Sequence, residues 1–161
     1  MGILTDDMKR VITEQRLGFV ATVGADGTPN LSPKGTMVVL DDDHILFGDL
    51  RSPGTVGNLR AKPAIELNFV DPFARTGYRF KGVAVYLPRG DADFDGLFSL
   101  FAHWGALAKG IKGIVKIKVE RALPLSSPAY DYGATEAQLR QDWARHFESI
   151  RQAPGGAAED Q

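Results

Sequence analysis

The chain has 161 residues, a length typical of one domain, and an ordinary globular composition with 43% hydrophobic and 24% charged residues. Its 19 basic and 20 acidic residues nearly cancel, so no net field favours a nucleic acid or an anionic membrane surface. The sequence contains no cysteine, which excludes disulfides, thiolate metal sites and a cysteine nucleophile.

The first quarter of the chain predicts a helix followed by a hairpin. Thr5 and the two acids after it predict a capped amphipathic helix that ends near Gln15. The apolar run Leu17–Val23 and the Asp-Gly signal after it predict a hairpin whose second strand begins at Thr28. Two prolines and Gly35 within that second strand indicate an edge position or a bulge.

The middle of the chain alternates strands with one short helix. Three consecutive aspartates precede a third strand, and Thr55 is predicted to cap a short helix that stops before Pro63. Period-two alternation predicts further strands over residues 64–70 and 78–87. Gly82 inside the second of these indicates a bulge or the close approach of another group.

The last third predicts two helices and a strand. Residues 91–109 form a predicted helix that is apolar on more than one side, so the core or a second subunit must cover it. Alternation over residues 115–120 predicts a strand with one solvent-facing side, and a capping box at Thr135 and Gln138 opens the final helix. We expect one domain over residues 1–150 and a disordered tail over residues 151–161.

These elements together predict a mainly β (α+β) fold. About six short strands with tight turns fit a closed or half-closed antiparallel barrel that carries helices at its ends. A β-sandwich is the alternative. The N-terminal residues lack the apolar core of a secretory signal, and no apolar stretch is long enough to span a bilayer, so we expect a cytoplasmic protein.

Two polar segments could bind a ligand. Residues 51–55 place a guanidinium and two hydroxyls beside a helix N-terminus, an arrangement typical of anion binding and also of an ordinary helix cap. Residues 32–36 offer irregular backbone that could meet the polar edge of a planar heterocycle, or could be a bulged edge strand. The three histidines show no metal-ligand spacing, so we assign neither a metal nor a catalytic residue.

Three segments in order carry a resemblance to a known family: LGFVATVGADGTPNLSPKGT, ILFGDLRSPGTVGNLRAKP and GYRFKGVA. They resemble the FMN-binding split-barrel family related to pyridoxamine 5'-phosphate oxidase, and SPAYDYG at residues 127–133 is similar to the closing segment of its short members. The resemblance implies a six-stranded split barrel with peripheral helices. It also implies a homodimer that holds two FMN molecules at its interface.

The resemblance also implies a set of cofactor-binding residues. The strand that passes along the isoalloxazine ring falls on Ser32, Pro33, Lys34, Gly35 and Thr36. The phosphate-binding turn falls on Asp49, Arg51, Ser52 and Thr55, where many relatives place adjacent basic residues and this chain has Gly54 and Thr55. Lys81 is the candidate cation at the polar edge of the flavin.

The function implied is an FMN-dependent oxidoreductase acting on an unidentified small redox substrate, with no nucleic-acid or membrane partner. Three alternatives remain open. The protein could store or carry flavin without turnover, it could use the deazaflavin F420, or it could be a dimeric module without a cofactor.

Overall fold

The computed structural model describes residues 2–153, which form two compact units. The first unit comprises the chain up to Val70 together with Gly77–Leu125, and the second comprises Asp71–Thr76 and the chain from Ser126. The strands are β1 Gly18–Val23, β2 Pro29–Lys34, β3 Met37–Val39, β4 His44–Asp49, β5 Ala64–Asp71, β6 Thr76–Pro88 and β7 Gly113–Ser126. The helices are α1 Asp6–Gln15, α2 Pro53–Ala61, α3 Ala92–Phe98 and α4 Glu136–Gln152, with 3₁₀ segments over Ser99–Gly110 and Pro128–Tyr132.

All seven strands lie in one sheet, in the order β2-β1-β5-β6-β7-β4-β3. The strands at its two ends, β2 and β3, are joined by only Gly35 and Thr36. Because two residues span only about 10 Å, the sheet must curl until its ends approach each other. The predicted split barrel is therefore confirmed, and the described strands number seven because the predicted second hairpin strand divides at Gly35.

Alternate residues of β4 serve two hydrophobic clusters. Ile45 and Phe47 point into the main core with Phe69, Phe80 and other strand residues. Leu46 points to the opposite side and packs in a second cluster, which the segment after β6 supplies with Phe94, Phe101, Ile111 and Ile114. Since both sides of β4 are covered, the strand is apolar along most of its length.

Two predicted helices differ in detail from the structure. Ser52, not Thr55, is the N-cap residue of α2, because Pro53 with its fixed φ and missing N–H suits the first helical position. Thr55 is buried inside the first turn. The predicted helix over residues 91–109 is α3 followed by 3₁₀ turns, with Gly105 in a backbone conformation at φ 55° that favours glycine.

The second unit is organised around the turn between β5 and β6. The Asp71 carboxylate accepts hydrogen bonds from the backbone N–H groups of Phe73 and Ala74 at 2.8 and 3.0 Å and pairs with Arg140 of α4 at 2.8 Å. The Arg75 guanidinium lies 3.8 Å from the centre of the Trp143 ring. The capping box of α4 is present as predicted, and the helix continues to Gln152. Residues 154–161 of the predicted tail lie outside the described residues, and the single domain over residues 1–150 stays a prediction.

Candidate functional site

A cavity of about 390 Å³ lies where the two ends of the curled sheet meet. We call it the Lys34 cavity; its volume is within the range of small-molecule sites. Most of the predicted cofactor-binding residues line it. The lining residues are Ser32, Pro33, Lys34, Gly35, Thr36, Gly48, Leu50, Arg51, Ser52, Trp104 and Leu107.

The β2–β3 junction is fixed to β4 by Thr36. Its hydroxyl donates to the Gly48 carbonyl at 2.8 Å and accepts from the Gly48 N–H at 3.1 Å. A Cβ at Gly48 would lie 2.7 Å from Ile111 Cδ1, so glycine leaves room for the Ile111 side chain against β4. The wall that carries residues 32–36 is therefore held by hydrogen bonds rather than by its own strand pairing alone.

Lys34 brings an under-satisfied cation to the cavity wall. Only 8% of its surface is exposed, and its Nζ donates to the Ser32 hydroxyl at 2.6 Å. Burial lowers the pKa of Lys34, and the negative charge of Asp49 acts in the opposite direction. An ammonium has three donors, and Ser32 uses one, so within residues 2–153 the other two have no hydrogen-bond partner from the protein.

The N-terminus of α2 forms the opposite end of the cavity. The buried Asp49 carboxylate accepts from the Ser52 N–H at 2.9 Å, and the Tyr86 hydroxyl lies 3.3 Å from its other oxygen. The Ser52 hydroxyl makes no hydrogen bond to the described part of the chain, and Arg51 has no ion-pair partner there. Asp49 thus orients the turn, while Arg51 and Ser52 keep donors available for a ligand.

Three of the predicted residues do not line the Lys34 cavity, and one of them, Asp49, contacts it only through the Ser52 N–H. Thr55 is buried in α2 and does not line the cavity. Lys81 lines a different hollow on the outer side of β5 and β6, where its Nζ lies 3.3 Å from a Glu66 carboxylate oxygen. The predicted role of Lys81 beside a ligand stays a prediction, and in one copy of the chain the lysine that lines the Lys34 cavity is Lys34.

Sequence reasoning did not identify the apolar wall of the Lys34 cavity. Trp104 and Leu107 belong to the 3₁₀ segment over Ser99–Gly110, which the sequence presented only as part of a broad apolar helix. The segment carries more apolar residues than one buried face needs, and this excess was the sequence feature that could have indicated an apolar wall. In the structure some of these residues pack in the second core cluster, and others line the Lys34 cavity.

This arrangement, a curled sheet with a cavity at its junction, matches a known family. The sequence model described as pyridoxamine 5'-phosphate oxidase matches residues 4–126, about three quarters of the chain. The chain belongs to the pyridoxamine 5'-phosphate oxidase family. The family match ends where the second unit resumes, at Ser126.

Solved structures agree with membership of the pyridoxamine 5'-phosphate oxidase family. HupZ of Group A Streptococcus is 34% identical and aligns with a TM-score of 0.69 over 78% of this chain and 96% of that one. A putative pyridoxamine 5'-phosphate oxidase from Lactobacillus delbrueckii shares the fold at 22% identity and a TM-score of 0.65, over 76% of this chain and 95% of that one. A search of the curated proteins finds no match.

More distant structures share the fold and differ in the ligands that they are named for. An FMN-binding protein from Syntrophomonas wolfei aligns at 15% identity and a TM-score of 0.62, over 74% of this chain and 84% of that one. An F420 reductase aligns at 16% identity with a TM-score of 0.57. HutZ, the heme storage protein of Vibrio cholerae, aligns at 18% identity with a TM-score of 0.58.

Among residues 2–153, no helix has both the length and the apolarity to cross a membrane.

Proposed function

We propose that this protein is an FMN-binding member of the family and an FMN-dependent oxidoreductase. One observation carries the proposal: the side chains of Lys34, Arg51 and Ser52, which line a single cavity, keep hydrogen-bond donors that the described part of the chain does not use. FMN presents ring carbonyls at one end and a phosphate at the other, and both are hydrogen-bond acceptors. None of the eleven lining residues is acidic, so no carboxylate on the cavity wall opposes the phosphate.

The residues divide into two groups by the part of FMN that they suit. Arg51 and Ser52 stand at the N-terminus of α2, where the helix dipole also favours the phosphate. Lys34 and the backbone of residues 32–36 lie along the wall that suits the ring, and Trp104 and Leu107 supply an apolar surface. When bound, FMN supplies the electron-carrying chemistry, while the protein positions the ring and limits the access of water.

Flavin storage without turnover would use the same contacts and is separated from the enzyme only by kinetics. An oxidoreductase must show donor-dependent reduction of the bound flavin and reoxidation by an acceptor faster than free FMN does. A storage protein would retain FMN, and the bound FMN would be neither reduced by the donor nor reoxidised by the acceptor faster than free FMN.

F420 is the second candidate cofactor, favoured by the open first turn of α2. A Cβ at Gly54 would meet no atom within 4 Å, so the space where many relatives carry a basic residue is empty. A longer polar tail, such as that of F420, could pass through this space.

Heme, the ligand for which HutZ is named, fits the Lys34 cavity less well than a flavin does. The lining residues supply hydrogen-bond donors and not the axial ligands that heme iron requires.

We further propose that the protein is a homodimer. The antiparallel pairing of β1 with β2 brings Phe19 opposite Pro33 and Ala21 opposite Leu31 on one outward face. Phe19 and Leu31 are 42% and 68% exposed. A contiguous apolar face of this kind is typical of an association surface.

Titration of FMN against the wild type and two arginine variants tests the site. Arg51→Ala should weaken binding by about 10- to 150-fold, because a charge-assisted hydrogen bond contributes about 1.5–3 kcal/mol. Arg121→Ala removes an exposed arginine from β7, outside the cavity, and should leave the dissociation constant unchanged. Equal affinity of the Arg51 variant and the wild type would remove Arg51 from the site.

A further inference from the structure

A second hollow of about 250 Å³ adjoins the Lys34 cavity. We call it the Arg16 hollow, and Trp104 lines both spaces. Two other features connect them. Met37 follows the β2–β3 junction directly in the chain, and a Cβ at Gly35 would lie 3.7 Å from the Arg16 carbonyl oxygen. A ligand in the Arg16 hollow would therefore lie beside a ligand in the Lys34 cavity.

Three polar side chains line the Arg16 hollow, those of Thr13, Arg16 and His103, and none of them is acidic. Arg16 has no acidic partner within 4.0 Å among residues 2–153, and no Asp or Glu lines the hollow. His103 adds an imidazole, and the Thr13 hydroxyl already donates to the Lys9 carbonyl at 2.8 Å. An unpaired guanidinium with its planar fork of donors is the side chain best suited to a carboxylate.

The rest of the Arg16 hollow is apolar and partly aromatic. Met37, Val38 and Val39 of β3 form one wall, and the Trp104 indole forms another. The His103 and Trp104 ring centres lie 3.5 Å apart with the ring planes tilted by 40°, so the imidazole lies over part of the indole. An apolar and aromatic lining of this kind suits the flat body of an aromatic compound, which can pack against the indole.

We propose that the Arg16 hollow binds an organic anion with a planar apolar body, of which an aromatic carboxylate is the simplest case. The carboxylate pairs with Arg16, and the ring lies against Trp104 and β3. This binding does not depend on FMN. That the anion is the substrate of the oxidoreductase rests in addition on the proposed function, because only that function places the electron carrier in the neighbouring cavity.

The indole N–H signals of the two tryptophans test this site in one spectrum. Benzoate and benzamide, which differ in charge and little in shape, are titrated separately into ¹⁵N-labelled protein without FMN. Benzoate should shift the Trp104 signal and leave that of Trp143, which does not line the hollow, unchanged. Benzamide should need at least about tenfold higher concentration for the same shift, since it lacks the charge.

Substitutions at Arg16 decide whether the guanidinium carries the binding. R16Q should weaken benzoate at least about tenfold, R16K should restore part of the affinity, and R121Q should behave as the wild type. No Trp104 shift, equal affinity for the two probes, or an R16Q variant that binds as the wild type would each overturn the proposal. Repetition with FMN present separates the two ideas, because benzoate binding without any FMN binding would keep the hollow and reject the flavin site.

Discussion

Lys34 and Lys81 lie in different surroundings, which predict an effect on the potential of a bound flavin for Lys34 and none for Lys81. Lys34 is buried at the wall of the Lys34 cavity, whereas Lys81 is 48% exposed along its side chain and paired with Glu66 in another hollow. A nearby cation stabilises the reduced, anionic ring more than the oxidised ring, and it does so more strongly where water is excluded.

Lys34→Met should therefore lower the reduction potential of bound FMN. A loss of about 1–2 kcal/mol corresponds to roughly 20–45 mV for a two-electron couple. Lys81→Met is the matched control and should leave the potential within experimental error. Spectroelectrochemical titration measures the reduction potential of both variants. A larger shift for the Lys81 variant would mean that Lys81, and not Lys34, lies beside the flavin ring.

Asp71 links pH to stability through the turn between β5 and β6. Burial alone would raise the pKa of Asp71, but the N–H groups of Ala74 and Phe73 and the Arg140 ion pair hold it below the ordinary value of 3.8. A carboxyl whose pKa is lower in the folded state stabilises the fold above its unfolded pKa. That contribution disappears as the pH falls through the lowered folded value.

Asp71→Asn should cost about 1–2 kcal/mol of unfolding free energy at pH 7, because charge-assisted hydrogen bonds become neutral ones. The difference from the wild type should begin to shrink below about pH 4, where the Asp71 carboxyl of the unfolded chain takes up a proton, and should be lost as the pH falls through the lowered folded pKa. Urea unfolding at several pH values measures this. Asp142→Asn, an exposed ion-pair variant in α4, should change stability by less than about 0.5 kcal/mol. If the difference in unfolding free energy between the wild type and Asp71→Asn stayed constant down to pH 3, the stabilising role of the Asp71 carboxylate would be contradicted.

At the scale of elements, Gly82 determines how closely β6 and β7 approach. The sequence predicted a bulge or a close approach at this position, and the structure shows the approach: a Cβ there would lie 2.0 Å from the Lys118 carbonyl oxygen. Gly82→Ala should destabilise the protein by about 1–3 kcal/mol or more, because backbone must shift. Gly96→Ala in α3, where a Cβ meets nothing within 4 Å, should be neutral or stabilising by up to about 1 kcal/mol. Thermal unfolding measures both variants. Equal melting temperatures for Gly82→Ala and Gly96→Ala would contradict the prediction that only the Gly82 substitution is destabilising.

The strands could be predicted from the sequence because their burial alternates with period two. Residues 64–70 and 115–120 show that alternation and are strands. Local caps were equally readable, as Thr5 and Thr135 show. The 3₁₀ segment was not predicted, because an apolar run covered on several sides has the same pattern whether it is helical or kinked at Gly105.

The candidate site could be predicted only in part, for a similar reason. Residues 32–36, Arg51 and Ser52 are local signals next to irregular backbone, and the structure brings them to one cavity. The placement of Lys81 depends on which side of a strand faces which hollow, and the role of Trp104 depends on packing over a long sequence separation. Neither is encoded in a local pattern.

At the scale of the whole molecule, the outward face of β1 and β2 predicts a dimer that one substitution can disrupt. Leu31→Glu places a charge in the centre of the apolar face and should shift the protein towards monomer at micromolar concentration. Ile150→Glu, a change of the same type at an exposed position of α4, is the control. Light scattering after size exclusion measures both masses. A Leu31→Glu protein that remains dimeric would mean that another surface associates.

The absorbance spectrum of the purified protein, recorded before and after incubation with FMN and desalting, tests the central claim most directly. Flavin bands that stay with the protein, and stay less with Arg51→Ala than with Arg121→Ala, are the result that we predict. A protein that retains no flavin band from either preparation would contradict FMN binding. Retention of an F420 spectrum or of a heme Soret band instead would assign the cavity to one of those ligands.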